Sequence, residues 1–151
     1  MPNWCYNIIT IYGDEKTEAK LKEIEEIFMK ADPFDAIYPI PDFKTIPNEK
    51  GELPKLEQKL NPDGSVFYET YNFSDGTNDD RWYHWCIQNW GTKWEPDMAG
   101  VEYEDSEILA LTFSTAWSQP EGIVEKLREK YPELSFSCFY DEPGCEIAGY
   151  Y

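Results

Sequence analysis

Arginine and histidine are the scarcest functional side chains in this sequence. There are two arginines, Arg81 and Arg128, and one histidine, His84. Lys and Arg together number 13 against 30 Asp and Glu, a formal net charge of -17. Binding to polynucleotides needs a Lys/Arg surface that displaces counterions, so direct nucleic-acid binding is excluded on charge. An anionic membrane surface repels the chain for the same reason. A single histidine leaves no spare imidazole for a histidine-rich metal site, and a hydrolytic triad would have to use His84 itself. No C-x-x-C pair occurs among Cys5, Cys86, Cys138 and Cys145, which removes the usual zinc and redox signatures. Gly13, Gly51, Gly64, Gly76 and Gly91 are isolated, so no phosphate-cradling loop is present. No apolar run reaches the length of a membrane span, and the start lacks the basic region and cleavage site of a signal peptide. The expectation is a cytoplasmic chain with free thiols, without cofactor, metal or catalytic residue.

What remains is enough for a core. The 151 residues are 41% hydrophobic and 17% aromatic, which suits one ordinary folded domain and argues against disorder. Trp4 to Tyr12 alternates with apolar residues on both faces and reads as a central strand. Leu21, Ile24, Ile27 or Phe28, and Ala31 recur at helical spacing behind a cap at Asp14. Residues 32–80 hold prolines 33, 39, 41, 47, 54 and 62 and no long period. They read as an irregular insertion with one short strand at Val66 to Asn72, within a single domain spanning 1–151. A helix from Arg81 to Trp90 follows, capped by Asp79 or Asp80, with Trp82, Trp85, Cys86 and Asn89 on one face. Strands at Val101 to Glu104 and Ile108 to Thr115 form a hairpin. Ser118 to Glu121 reads as a capping box for a helix ending at Lys130. Strands at Phe136 to Tyr140 and Glu146 to Tyr150 close the chain.

With the insertion set aside, the order is β-α-β-β-α-β plus one extra C-terminal strand. This is the split βαβ pattern of an α+β ferredoxin-like fold: an antiparallel sheet with helices on one face.

Four segments carry a resemblance. Met1-Pro2-Asn3-Trp4-Cys5-x-Asn7, Trp90-Gly91-Thr92-Lys93-Trp94, Thr115-Ala116-Trp117-Ser118-x-Pro120 and Tyr140-x-Glu142-Pro143-Gly144-Cys145-x-x-Ala148-Gly149 resemble the YubB ferredoxin-like family, encoded on phages and conjugative plasmids of bacteria. The resemblance implies a ferredoxin-like core. It implies no activity, since no reaction, cofactor or catalytic residue is established for that family. The proline-rich insertion lies outside it.

Each constellation has a plain structural reading beside a functional one. His84 and Cys86 diverge at i and i+2 on a helix, so they make a poor dyad. Asp75, Asp79 and Asp80 form an oxygen-rich cluster without calcium-loop spacing, and a turn with a helix cap explains it. Six tryptophans fill a core, yet Trp90, Trp94 and Trp117 fall near element ends and can rim a pocket. Asp141, Glu142 and Glu146 flank Cys145 in its turn and raise a thiol pKa, against a nucleophilic role. From Glu95 onward, 13 acidic residues face only Lys126, Arg128 and Lys130. Glu121, Glu125 and Glu129 repeat at i, i+4 and i+8 on one helix face.

The functional expectation is a non-enzymatic, acidic protein-interaction module. It would be an accessory protein of a mobile element, directed at a host nucleic-acid-binding or defence protein. Its partner would present a basic surface, and the chain itself would be a monomer or dimer. Trp90, Trp94, Trp117, Glu121, Glu125, Glu129 and Glu142 are the candidate contact residues. The alternative is a small-ligand or hydrolytic pocket built from the tryptophan rim with His84 and Cys145.

Overall fold

The computed structural model describes residues Pro2 to Tyr151. The chain forms two compact units, one made of residues 1–39 and 86–151, the other of residues 40–85.

The first unit is built on β1 (Trp4–Tyr12), α1 (Glu18–Phe28), α2 (Pro33–Ile37), β4 (Asp97–Asp105), β5 (Ile108–Ala116), α4 (Glu121–Lys130), β6 (Ser135–Glu142) and β7 (Ile147–Tyr150). Its sheet has the order β4-β5-β1-β6-β7, with every neighbouring pair antiparallel. β1 is therefore central, as its two apolar faces predict. The four strands β1, β4, β5 and β6 with α1 and α4 make the α+β ferredoxin-like core, and β7 is the added C-terminal strand.

Alternation sorts the two faces. Cys5, Asn7, Ile9 and Ile11 of β1 and Leu109, Leu111, Phe113 and Thr115 of β5 are buried. They meet Leu21, Ile24 and Phe28 of α1 and Ile123, Val124 and Leu127 of α4, which recur at helical spacing. The opposite face leaves Tyr6, Ile8, Tyr12 and Tyr150 exposed.

Two helix starts and one helix face differ from the sequence reading. Asp14 does not cap α1; it closes the turn before it, accepting from Lys16 N at 2.9 Å, and Thr17 stands at the N-cap. The Ser118–Glu121 capping box does not form, because Ser118 Oγ donates instead to Gly91 O and Pro120 stands at the N-cap. Only Cys86 is buried on α3 (Arg81–Asn89), and Trp82 is 41% exposed, so the tryptophan face is not a core face.

The second unit corrects the expectation of an irregular insertion. β2 (Lys55–Leu60) pairs antiparallel with β3 (Val66–Asn72). β2 is exposed along its length, so no apolar alternation marks it in the sequence. The insertion also gives up its first residues, since α2 belongs to the first unit. Arg81 organises the second unit. Its guanidinium donates to both oxygens of Asp79 at 2.8 and 2.9 Å, to Phe43 O at 2.7 Å and to Ile46 O at 2.8 Å. It also lies 5.0 Å from the Phe43 ring and 5.5 Å from the Phe73 ring.

The hairpin of the second unit buries little, while β1 is bonded on both edges. Local opening is therefore cheaper there. Hydrogen exchange is expected to release residues 42–65 well before β1. Equal protection of the two would show that the second unit is as firmly held as the central sheet.

Candidate functional site

The four segments that carry the sequence resemblance converge at one end of the main sheet. β1 begins there, and β5 and β6 finish there, so Asn3, Trp117 and Glu142 are brought together from distant positions. Trp117 N donates to Asn3 O at 2.8 Å. Thr92 Oγ1 donates to Ala116 O at 2.8 Å, which attaches the second segment to the third.

A buried polar node lies behind this end. Asn7 Nδ2 donates to Cys5 O at 3.0 Å and to Thr115 Oγ1 at 2.9 Å, and its Oδ1 accepts from Tyr151 OH at 2.9 Å. Thr115 Oγ1 donates onward to Ser118 O at 2.6 Å. Every member is satisfied, as a buried polar group requires. Burial pushes the Tyr151 phenol far above its ordinary range.

Glu142 differs from this node. It is only 1% exposed. Its Oε2 accepts from Cys145 N, while Oε1 has no hydrogen-bond partner. A buried acceptor without a donor costs about 1–3 kcal/mol. Asn3 and Glu142 pack directly against Gly144, for a Cβ there would stand 2.6 Å from Asn3 Nδ2 and 2.9 Å from Glu142 Oε1. Among the described residues, two non-glycine residues have left-handed backbone, Trp117 at φ 70° and Glu146 at φ 56°. Such conformations cost on the order of 1–3 kcal/mol each and collect at functional sites.

The thiols are poor nucleophiles. Burial pushes Cys5, Cys86 and Cys138 up to about 11. Cys145 is exposed rather than half-buried, and its pKa is raised chiefly by hydrogen bonding to the Glu142 carboxylate. The thiolate is the reactive form, so this environment suppresses it. His84 is exposed in the second unit, with Nε2 3.9 Å from Asp80 Oδ2, and does not share a unit with Cys145. Asp75 Oδ1 accepts from Thr77 N at 2.9 Å and from Thr77 Oγ1, so it is spent on its own turn. Among the described residues, no group of three or more His, Cys, Asp or Glu side chains is placed to hold a metal ion. No helix among them is long and apolar enough to cross a membrane.

The tryptophans separate. Trp90 is a core residue at 1% exposure, not part of a rim. Its Nε1 donates to Tyr38 O at 2.8 Å, and its ring meets Phe34 edge-on at 5.7 Å. Close backbone contact between α3 and α4 holds it there, since a Cβ on Gly122 would stand 1.7 Å from Asn89 O. Trp94 is exposed, with Lys93 Nζ 4.1 Å from its ring centroid. Trp117 is 50% exposed. Glu121, Glu125 and Glu129 are exposed along α4, although Lys126 Nζ lies 3.3 Å from Glu129.

Sequence reasoning passed over Glu95. Its Oε1 accepts from Phe34 N at 2.6 Å and its Oε2 from Asp35 N at 3.2 Å, so it holds the start of α2. Burial outweighs these bonds and pushes its pKa from the usual 4.5 up to about 7. The signal was absent because the capped helix lies 60 residues earlier.

Residues 89–151 match the family model described as the ferredoxin-like domain in Api92-like protein. The matched stretch holds β4, β5, α4, β6 and β7 and three of the four converging segments, and it covers under half of the chain. It agrees with the ferredoxin-like architecture of the first unit. No curated protein and no solved structure matches the chain.

Glu95 yields a pH prediction. Its folded pKa is above the unfolded value, so the folded state holds the proton more tightly. The stability it contributes is complete below pH 4.5 and is lost as pH rises through about 7. Glu95→Gln keeps an acceptor for Phe34 N and removes the titration. Denaturant unfolding across this window should show a flatter stability curve for the variant. A variant curve parallel to the parent's would remove Glu95 from the account.

Proposed function

We propose that the protein is a non-enzymatic interaction module that presents an acidic surface to a protein partner with a basic one. The observation that carries this reading is the net charge of -17 together with where the acids stand. One set is Glu121, Glu125 and Glu129 on α4, diluted by Lys126, Arg128 and Lys130. A denser set borders the free edge of the sheet. Glu18 and Glu26 of α1 are exposed there, Glu25 is half-buried, and Glu102, Glu104 and Asp105 line β4. Tyr103 of β4 feels α1: its pKa is raised by burial first, then by Glu25, Glu18 and Glu26. A charged edge strand also resists pairing with copies of itself, so this surface selects for a partner of opposite charge.

A surface of this sign fits a groove built to hold polyphosphate. That supports a target among nucleic-acid-binding or defence proteins of a host. The setting on a phage or plasmid rests on the four-segment resemblance alone. The hydrolytic alternative draws little from the site, where Cys145 is held as a thiol, His84 belongs to the second unit and Trp90 is in the core.

Two charge reversals test the reading against a lysine-rich peptide. Glu18→Lys with Glu26→Lys alters the α1 edge, and Glu121→Lys, Glu125→Lys and Glu129→Lys together alter α4. All five side chains are exposed, so the fold should survive. The first variant is expected to slow association about tenfold at low salt and the second less, and both should flatten the salt dependence. Exposed charges are screened over about 8 Å at physiological ionic strength, so the parent's on-rate must fall with salt. Variants that associate as fast as the parent across the salt series would refute the acidic-surface reading.

A further inference from the structure

α1 and α4 pack on one face of the five-stranded sheet, and the other face carries the exposed side chains of Tyr6, Ile8, Tyr12 and Tyr150. Ile8 is the middle residue of the middle strand. Register sets Thr112 of β5 on one side of it, Phe139 of β6 on the other, and Tyr150 of β7 beyond Phe139. The Phe139 and Tyr150 rings meet edge-on at 5.3 Å. In a chain of net charge -17 this face is nearly neutral. β1 and β5 contain no charged residue, and none of the five strands contains Lys or Arg. By register, the acids of this face stand on the outer strand β4, as Asp97, Glu102 and Asp105, and at Asp141 near the end of β6.

We propose that a second copy of the chain covers this face, in a twofold dimer with Ile8 at the axis. Charge selects the occupant. A basic partner finds no carboxylate at the centre of the face, and a polynucleotide finds no cation there. Two acidic chains repel each other least where neither bears charge, so the centre of this face is where a second copy can approach. The charged β4 edge resists edge-to-edge pairing, which leaves packing face to face. Area agrees. Strands of four to nine residues, at about 3.4 Å per residue and about 4.8 Å apart, make a face of about 600 Å². Specific interfaces bury about 600–1,000 Å² per partner. The chemistry is that of an interface core, with tyrosine and isoleucine among the hydroxyls of Thr10, Thr112, Ser114 and Ser137. Two twisted sheets stacked in this way lie about 10 Å apart with their strands close to aligned. A twofold axis at Ile8 sets each Ile8 against its copy. α1 and α4 then point outward on both copies, so the dimer displays each acidic row twice. The inference goes beyond the acidic-module reading and does not rest on it.

Sedimentation equilibrium of the full chain at low and high salt tests the proposal. The parent is expected to be dimeric at about 100 μM, where an interface of this size is occupied. Salt screens the repulsion between the two acidic chains, so the dimer should tighten about tenfold from about 0.05 to about 0.5 M salt, opposite in sign to the binding of a basic peptide. Ile8→Glu sets two carboxylates at the axis and should weaken the dimer about a hundredfold or more, and Tyr150→Ser about tenfold. Both side chains are exposed, so circular dichroism should show the parent fold. Should Ile8→Glu fail to fold, Tyr150→Ser decides alone. Glu18→Lys with Glu26→Lys, on the far side of the sheet, should leave a dimer at least as tight as the parent's. A parent that stays monomeric in both salts would overturn the proposal and give the face to a different occupant. A dimer that weakens with salt, or that a folded face variant leaves unchanged, would overturn it equally. Peptide binding by a monomeric parent would leave the acidic surface standing and the dimer refuted.

Discussion

The structure depends on β1 being bonded along both edges. Asn7 stands on the buried face of β1 with Cys5, Ile9 and Ile11, so its amide must be satisfied inside the core. It is satisfied by Cys5 O, Thr115 and Tyr151, and those three bonds join β1, β5 and the C-terminal residue. Removing any one partner would leave a buried polar atom without a bond, which is costly. The ladders, with Trp4 opposite Ala116 and Tyr6 opposite Asp141, set which ends of β1, β5 and β6 lie side by side. Asn3, Trp117 and Glu142 share one place as a consequence.

The chemistry of that place follows from the same constraint. Glu142 is carried inward by the alternation of β6, at the point where the strand gives way to the turn. Its carboxylate takes the Cys145 N–H and holds the Cys145 thiol protonated, which turns the sheet end away from nucleophilic catalysis. Outside, charge dominates. The α1 acids Glu18, Glu25 and Glu26 gather around Tyr103 of β4, and α4 carries its own row. A satisfied interior node and an exterior of one sign are together what a binding module needs. Neither requires a moving part.

Much of the core was legible in the sequence because it obeys a period. β1, β5, α1 and α4 each place apolar residues at the spacing their geometry demands, and the end of α4 was located to the residue, at Lys130. The failures have physical reasons. β2 is exposed on both faces, so Lys55 to Leu60 carries no pattern to read. Trp82 and Trp85 mimic a helical core face, yet only Cys86 of α3 is buried. Ser118 fits a capping box but finds a nearer acceptor in Gly91 O. Trp90 was legible as an aromatic near an element end, but its burial depends on the contact of Gly122 with Asn89, which no local pattern encodes. The candidate site divides in the same way. Its residues were visible as four motif segments, but the unpaired Glu142 oxygen and the cap supplied by Glu95 arise from contacts across the sheet.

The most direct test of the account is to map the surface of the intact chain that a lysine-rich peptide protects. Hydrogen exchange with the peptide bound should slow at α1 and at β4, and the protection should fade with added salt. Protection confined to the open sheet face around Tyr6, Ile8, Tyr12 and Tyr150, unchanged by salt, would contradict it.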